Sequence, residues 1–147
     1  MINNPFNGTI EHSGFAVPDI EEAVDFFVKV LGFELLNRPP ALEFKEDDRL
    51  TRYFGVHPRS VVRGAAFLQY GGRKIELVEW SAPDQQDVVL KPSDVGSSHL
   101  ALTVSDLNVT IDYLKCQQGV QIREYCPFGF VYFTTPWGME IQVLEEK

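Results

Sequence analysis

Residues 12–20, His12-Ser13-Gly14-Phe15-Ala16-Val17-Pro18-Asp19-Ile20, return 87 positions later as His99-Leu100-Ala101-Leu102-Thr103-Val104-Ser105-Asp106-Leu107. The same interval separates Asp25 from Asp112 and Gly32 from Gly119. The chain is therefore an internal duplication, and a fold for it must be built from two similar modules. Each copy opens with a histidine on an expected strand, which suggests one polar site to which both copies contribute.

Residues 8–17 alternate as a strand, and Asp19 followed by Glu22 is a capping signal for a helix running to about Leu31. The apolar positions Ile20, Ala23, Val24, Phe27 and Leu31 fall at helical spacing, so one stripe of that helix is to be buried. Gly32 stops it, and a strand follows over 33–36. After Pro39-Pro40, residues 47–54 read as a short helix with Leu50, Tyr53 and Phe54 on one side. Strands over 61–70 and 73–80 are joined by Gly71-Gly72 as a two-residue hairpin turn. Residues 81–96 carry two prolines and no strong period and read as a linker. The second copy then gives a strand over 97–104, a helix over 107–117, and strands over 120–124, 128–134 and 139–145. The last two are joined by the turn Thr135-Pro136-Trp137-Gly138. Each module is thus β-α-β-β-β, module one spanning about 8–80 and module two about 97–146, and the first is lengthened by an insertion between about Asn37 and Val62.

The closing strands match as well, Ile75-Glu76-Leu77-Val78-Glu79 against Ile141-Gln142-Val143-Leu144-Glu145, so Glu76 and Gln142 are equivalent. Strand alternation turns both away from their apolar neighbours. With the apolar face under the helices, Glu76 and Gln142 face the open side of the sheet.

Composition sets the bounds. At 147 residues, with 44% hydrophobic and 23% charged side chains, the chain suits one globular domain, and it has no apolar run long enough to span a bilayer. A soluble cytoplasmic protein is the expectation. The net charge of −8 argues against nucleic acid and against an anionic membrane as partners, since both need a basic face. Cys116 and Cys126 form neither a disulfide framework nor a zinc-finger spacing and read as reduced thiols.

On these residues and this module pattern the chain resembles the vicinal oxygen chelate superfamily, which includes glyoxalase I, methylmalonyl-CoA epimerases, fosfomycin-resistance enzymes, extradiol dioxygenases and metal-free bleomycin-resistance binders. The resemblance implies an α+β fold in which paired βαβββ modules form a cupped mixed sheet with helices on its outer face, a single domain over residues 1–147, and a homodimer. It also implies that His12, Glu76, His99 and Gln142 hold one divalent metal ion. Two imidazoles, a carboxylate and an amide oxygen suit nickel, cobalt, zinc, iron or manganese rather than a thiolate-seeking ion. Four protein ligands on a six-coordinate ion leave two openings for the two oxygens of a small chelating substrate.

Gln142 departs from the family, whose fourth ligand is most often glutamate. An amide keeps the oxygen donor but cannot take a proton, so Glu76 is left as the catalytic base. Glu140, two residues earlier on the same face, is the other candidate to complete the set, about 7 Å away along the strand. Ser60 falls where epimerases of the family carry a further glutamate. The expected function is a metal-dependent lyase or isomerase of the glyoxalase and epimerase type acting on a small substrate with vicinal oxygens. Two alternatives stand beside it: a non-catalytic small-molecule binder of the antibiotic-resistance type, and an iron-dependent extradiol-type dioxygenase.

Other residues have two readings. Arg49, Arg52, Arg59 and Arg63 concentrate positive charge in the insertion, either as a solvated face or as a contact for a substrate carboxylate or phosphate. His57, before Pro58, reads as a turn residue. Phe26, Phe27, Phe67, Phe130 and Phe133 read as core, and Trp137 either lines a pocket or caps its hairpin.

Overall fold

Two units emerge from the chain, Met1–Gln85 and Gln86–Lys147, in a computed structural model that describes residues Met1–Lys147. Each contains one copy of the duplicated sequence, and together the elements make an α+β fold with two separate mixed sheets.

In the first unit, β1 (Ser13–Val17) leads into α1 (Ile20–Asp25), which continues as a π-turn over Phe26–Val30. Asp19 caps α1, its Oδ1 accepting the Glu22 N–H at 2.9 Å, as the sequence signal requires. The π-turn absorbs one extra residue, and both Phe26 and Phe27 are buried. β2 (Glu34–Asn37), β3 (Leu42–Glu43), α2 (Arg49–Phe54), β4 (Val61–Tyr70) and β5 (Arg73–Ser81) complete the unit. The strand order is β1-β5-β4-β2, with β3 also paired to β4, and β1 runs parallel to β5. α1 lies on β4 and β5, covering the face that carries Ile75, Leu77, Ala66 and Leu68. A side chain at Gly64 would come within 2.8 Å of Ile20, so glycine permits that close approach.

The second unit repeats the plan as β6 (Leu100–Val104), α3 (Leu107–Lys115), β7 (Gln121–Ile122), β8 (Phe130–Thr134) and β9 (Glu140–Glu145). Its strand order is β6-β9-β8-β7, with β6 parallel to β9. Asp106 caps α3 through Val109 N–H at 2.9 Å, the counterpart of Asp19. Ile141, Val143, Val131 and Phe133 are the buried face of this sheet.

The strand expected from residue 8 begins only at Ser13. The reason is pairing: β1 is parallel to β5, which starts at Arg73 just after the hairpin turn, so residues before Glu11 have no partner there. The helix in the insertion forms, but only Leu50 is buried; Tyr53 is 64% and Phe54 52% exposed. Phe54 instead sets its ring edge-on to Trp80, with centroids 5.9 Å apart. Phe67 and Phe130 are also not core, because alternation in β4 and β8 turns them to the half-buried open face opposite Phe26, Phe27 and Phe133.

Candidate functional site

The open face of each sheet carries one cross-strand row of side chains, and the two rows correspond. In the first unit the row is Gly14, Glu76, Phe67 and Asn37, on β1, β5, β4 and β2. In the second it is Ala101, Gln142 and Tyr132, on β6, β9 and β8. Arg123 extends that row, since its N–H donates to the Tyr132 carbonyl at 2.8 Å just beyond β7. His12 and His99 each precede the first residue of their row by two positions, which in strand periodicity is the same face.

Each histidine leans on the aromatic ring of its own row. His12 meets Phe67 edge-on at 5.3 Å, and His99 meets Tyr132 edge-on at 5.4 Å. The fold therefore brings His12 to the Glu76 row and His99 to the Gln142 row, and treats the two copies alike. The aromatic partner is a signal the sequence did carry: the Gly71-Gly72 turn closes Tyr70 on Arg73, and counting back from it places Phe67 opposite Glu76.

The surroundings of His12 determine which nitrogen is available. Its Nδ1 contacts the Glu11 carboxylate, which also takes the Lys74 ammonium. Lys74 first and His12 second hold the Glu11 carboxyl below the usual carboxylate range. With Nδ1 engaged, Nε2 is the nitrogen free to ligate, the arrangement in which a carboxylate orients a metal-binding imidazole. No three His, Cys, Asp or Glu side chains converge on one point, so what each unit brings together is one imidazole with its row: His12 with Glu76, and His99 with Gln142.

The remaining sequence candidates separate clearly. Glu140 is 7% exposed and bound at both oxygens by Arg123, at 2.5 and 2.6 Å, so its carboxylate is committed to that pair rather than to completing a ligand set. Ser60 is buried with its Oγ lacking a hydrogen-bond partner, and it supplies no base. Three of the insertion arginines are spent locally. Arg49 binds Asp47 and stacks 3.9 Å over Phe44, Arg52 binds Asp48, and Arg59 donates to the Asp47 carbonyl. Arg63 reaches only Ser81 Oγ, at 3.5 Å. His57 accepts the Arg59 N–H at 3.0 Å, a turn role. Trp137 sits half-buried in its hairpin, where Gly138 N–H closes onto the Thr135 carbonyl at 2.9 Å. No helix is long and apolar enough to cross a membrane.

Comparison with known proteins agrees with this architecture. A 2-epi-5-epi-valiolone epimerase of Actinomyces sp. is 34% identical, the match covering 92% of this chain and 78% of that protein. A probable lactoylglutathione lyase of Vibrio cholerae is 26% identical over 96% of this chain and 93% of its own length. Among solved structures, a glyoxalase family protein of Bacillus cereus shares the fold with a TM-score of 0.75 at 19% identity, over 98% of this chain and 99% of that one. The fosfomycin resistance protein FosX of Listeria monocytogenes aligns with a TM-score of 0.60 at 11% identity, over 97% and 94% of the two chains. The family model matches residues 9–143, nearly the full length, and the chain belongs to the Glyoxalase/Bleomycin resistance protein/Dioxygenase superfamily.

Proposed function

We propose that this protein is a divalent-metal-dependent isomerase or lyase that moves a proton at the carbon beside a carbonyl, in a small substrate with neighbouring oxygens. Glu76 is its base. The observation that carries this reading is the asymmetry of the two rows: at equivalent strand positions the first unit has a carboxylate and the second an amide. Of those two side chains only Glu76 can accept a proton and return it. The ligands proposed for the ion are His12, Glu76, His99 and Gln142. A bound ion would supply Lewis acidity toward a carbonyl oxygen, which makes the neighbouring C–H acidic.

The chain's own residues do the rest. Glu11 orients His12 through Nδ1, while Phe67 and Tyr132 limit the swing of the two imidazoles. Glu76 stands half-buried, opposite Phe67, and takes the proton on a carboxylate oxygen. Gln142 contributes an oxygen donor and N–H groups that hold a substrate oxygen without competing for the proton.

The relative named as an epimerase supplies the first substrate to try, because removing a proton beside a carbonyl and returning it on the other face inverts that carbon. The metal-loaded protein is incubated with 2-epi-5-epi-valiolone in D2O and proton exchange is followed by NMR. Deuterium should enter beside the carbonyl at a rate that falls by at least two orders of magnitude in Glu76→Gln. Exchange that persists undiminished in that variant would remove Glu76 as base. Metal content by elemental mass spectrometry, with His99→Ala as control, should show one equivalent lost in the variant.

A further inference from the structure

Arg123 is the cation on the open face of the second unit that the proposed mechanism does not use. It ends the row Ala101, Gln142, Tyr132, and its backbone N–H bond to Tyr132 fixes its place there. Its guanidinium spans to Glu140, two residues from Gln142 on the same strand face, with Nη1 on one carboxylate oxygen and Nη2 on the other. The two ends of this pair differ in exposure: the Glu140 side chain is 7% exposed and that of Arg123 is 49%.

Burying a carboxylate is costly unless its partner satisfies both oxygens, as this bidentate geometry does. A buried anchor of this kind holds the guanidinium plane in one orientation. Glu140 uses one N–H from each Nη, leaving Nε–H and the outer hydrogens to point elsewhere. Glu140 also balances the charge, so what is left on offer is a set of directional N–H donors. Such donors suit neutral hydroxyl or carbonyl oxygens better than an anion, which needs uncompensated positive charge. The corresponding place in the first unit is Asn37, a neutral side chain, so the two modules present different groups at this point.

We propose that Arg123, held by Glu140, is a specificity-determining residue that grips a hydroxyl or carbonyl oxygen of a neutral substrate on the open face beside Gln142. The inference rests on the reading above that this face binds substrate. It assigns Arg123 a binding role and Glu140 a positioning role, with neither exchanging a proton.

The test is binding, measured apart from turnover. The metal-loaded wild type, Arg123→Gln, Arg123→Lys and Glu140→Gln proteins are titrated calorimetrically with 2-epi-5-epi-valiolone and with inorganic phosphate. The expected result is tenfold or greater weakening for the ketone in Arg123→Gln, a smaller loss in Arg123→Lys, and several-fold weakening in Glu140→Gln. Metal content should stay unchanged in all four, and phosphate should not bind. Equal ketone affinity in Arg123→Gln and wild type would overturn the proposal, as would no ketone binding by wild type. Phosphate binding that disappears in Arg123→Gln would overturn it in favour of an anion site. Loss of metal in Arg123→Lys, which keeps the charge and most of the reach, would reduce the pair to a structural role. Ketone bound with the expected mutational pattern but no deuterium exchange would instead sink the isomerase reading and leave the grip of Arg123 standing.

Discussion

Gly32 and Gly119 occupy equivalent positions in the duplicated sequence and the same left-handed backbone, at φ 78° and 77°. Replacing either with alanine places a Cβ in a region that L-residues avoid, at about 1 kcal/mol. The sequence alone would predict equal losses. The structure predicts otherwise: a Cβ at Gly32 meets nothing within 4 Å, whereas one at Gly119 lies 3.0 Å and 3.1 Å from two ring carbons of Pro136. A proline ring cannot rotate away, so overpacking adds roughly 1–3 kcal/mol at Gly119 alone. Gly32→Ala should therefore lower Tm by about 3 °C, and Gly119→Ala by roughly 6–12 °C, for a chain of this length. Asparagine tolerates the left-handed region, so Gly32→Asn should recover most of the loss and Gly119→Asn should not. Thermal and urea unfolding of the four variants decide the matter. Equal losses for the two alanine variants, or a Gly119→Asn protein as stable as wild type, would refute the steric argument.

Three further outcomes are expected. Gln142→Glu should tighten metal binding by restoring a charged oxygen ligand, and unchanged affinity in a metal titration would take residue 142 out of the ligand set. Leu50→Ala should cost about 2–5 kcal/mol in urea unfolding, because Leu50 alone anchors α2 from a fully buried position. Arg38 binds Glu21 at 2.6 Å and holds its carboxyl below the usual range. A depressed carboxylate stabilises the fold above its unfolded pKa and loses that contribution as pH falls through the folded one. The stability gap between wild type and Arg38→Gln should accordingly be largest near pH 7 and narrow as the pH drops below the ordinary glutamate range, leaving the part due to the Arg38 Nε–H bond to the Ala65 carbonyl, as followed by urea unfolding at each pH.

Much of this protein is written locally. Asp19 and Asp106 cap their helices because a short side-chain acceptor before an apolar stripe has one good use, and the two-glycine turn at 71–72 fixes the β4–β5 register. Strand alternation alone put Glu76 and Gln142 on the face away from the buried residues, and the 87-residue repeat made the two histidines equivalent. What the sequence could not decide are relations between side chains distant along the chain. The hairpin count sets Phe67 opposite Glu76, yet only the parallel pairing of β1 with β5 brings His12 onto its ring. Tyr53 and Phe54 read as a buried helix side, yet only Leu50 finds a surface to cover. Glu140 reads as a spare ligand until Arg123, seventeen residues earlier, reaches it across β8 and satisfies both oxygens. Periodicity and capping act within a few residues, so the sequence determined the main elements, the face of Glu76 and Gln142, and the duplication. Which charge meets which depends on strand order and register summed over the whole sheet, and only the tertiary structure decided that.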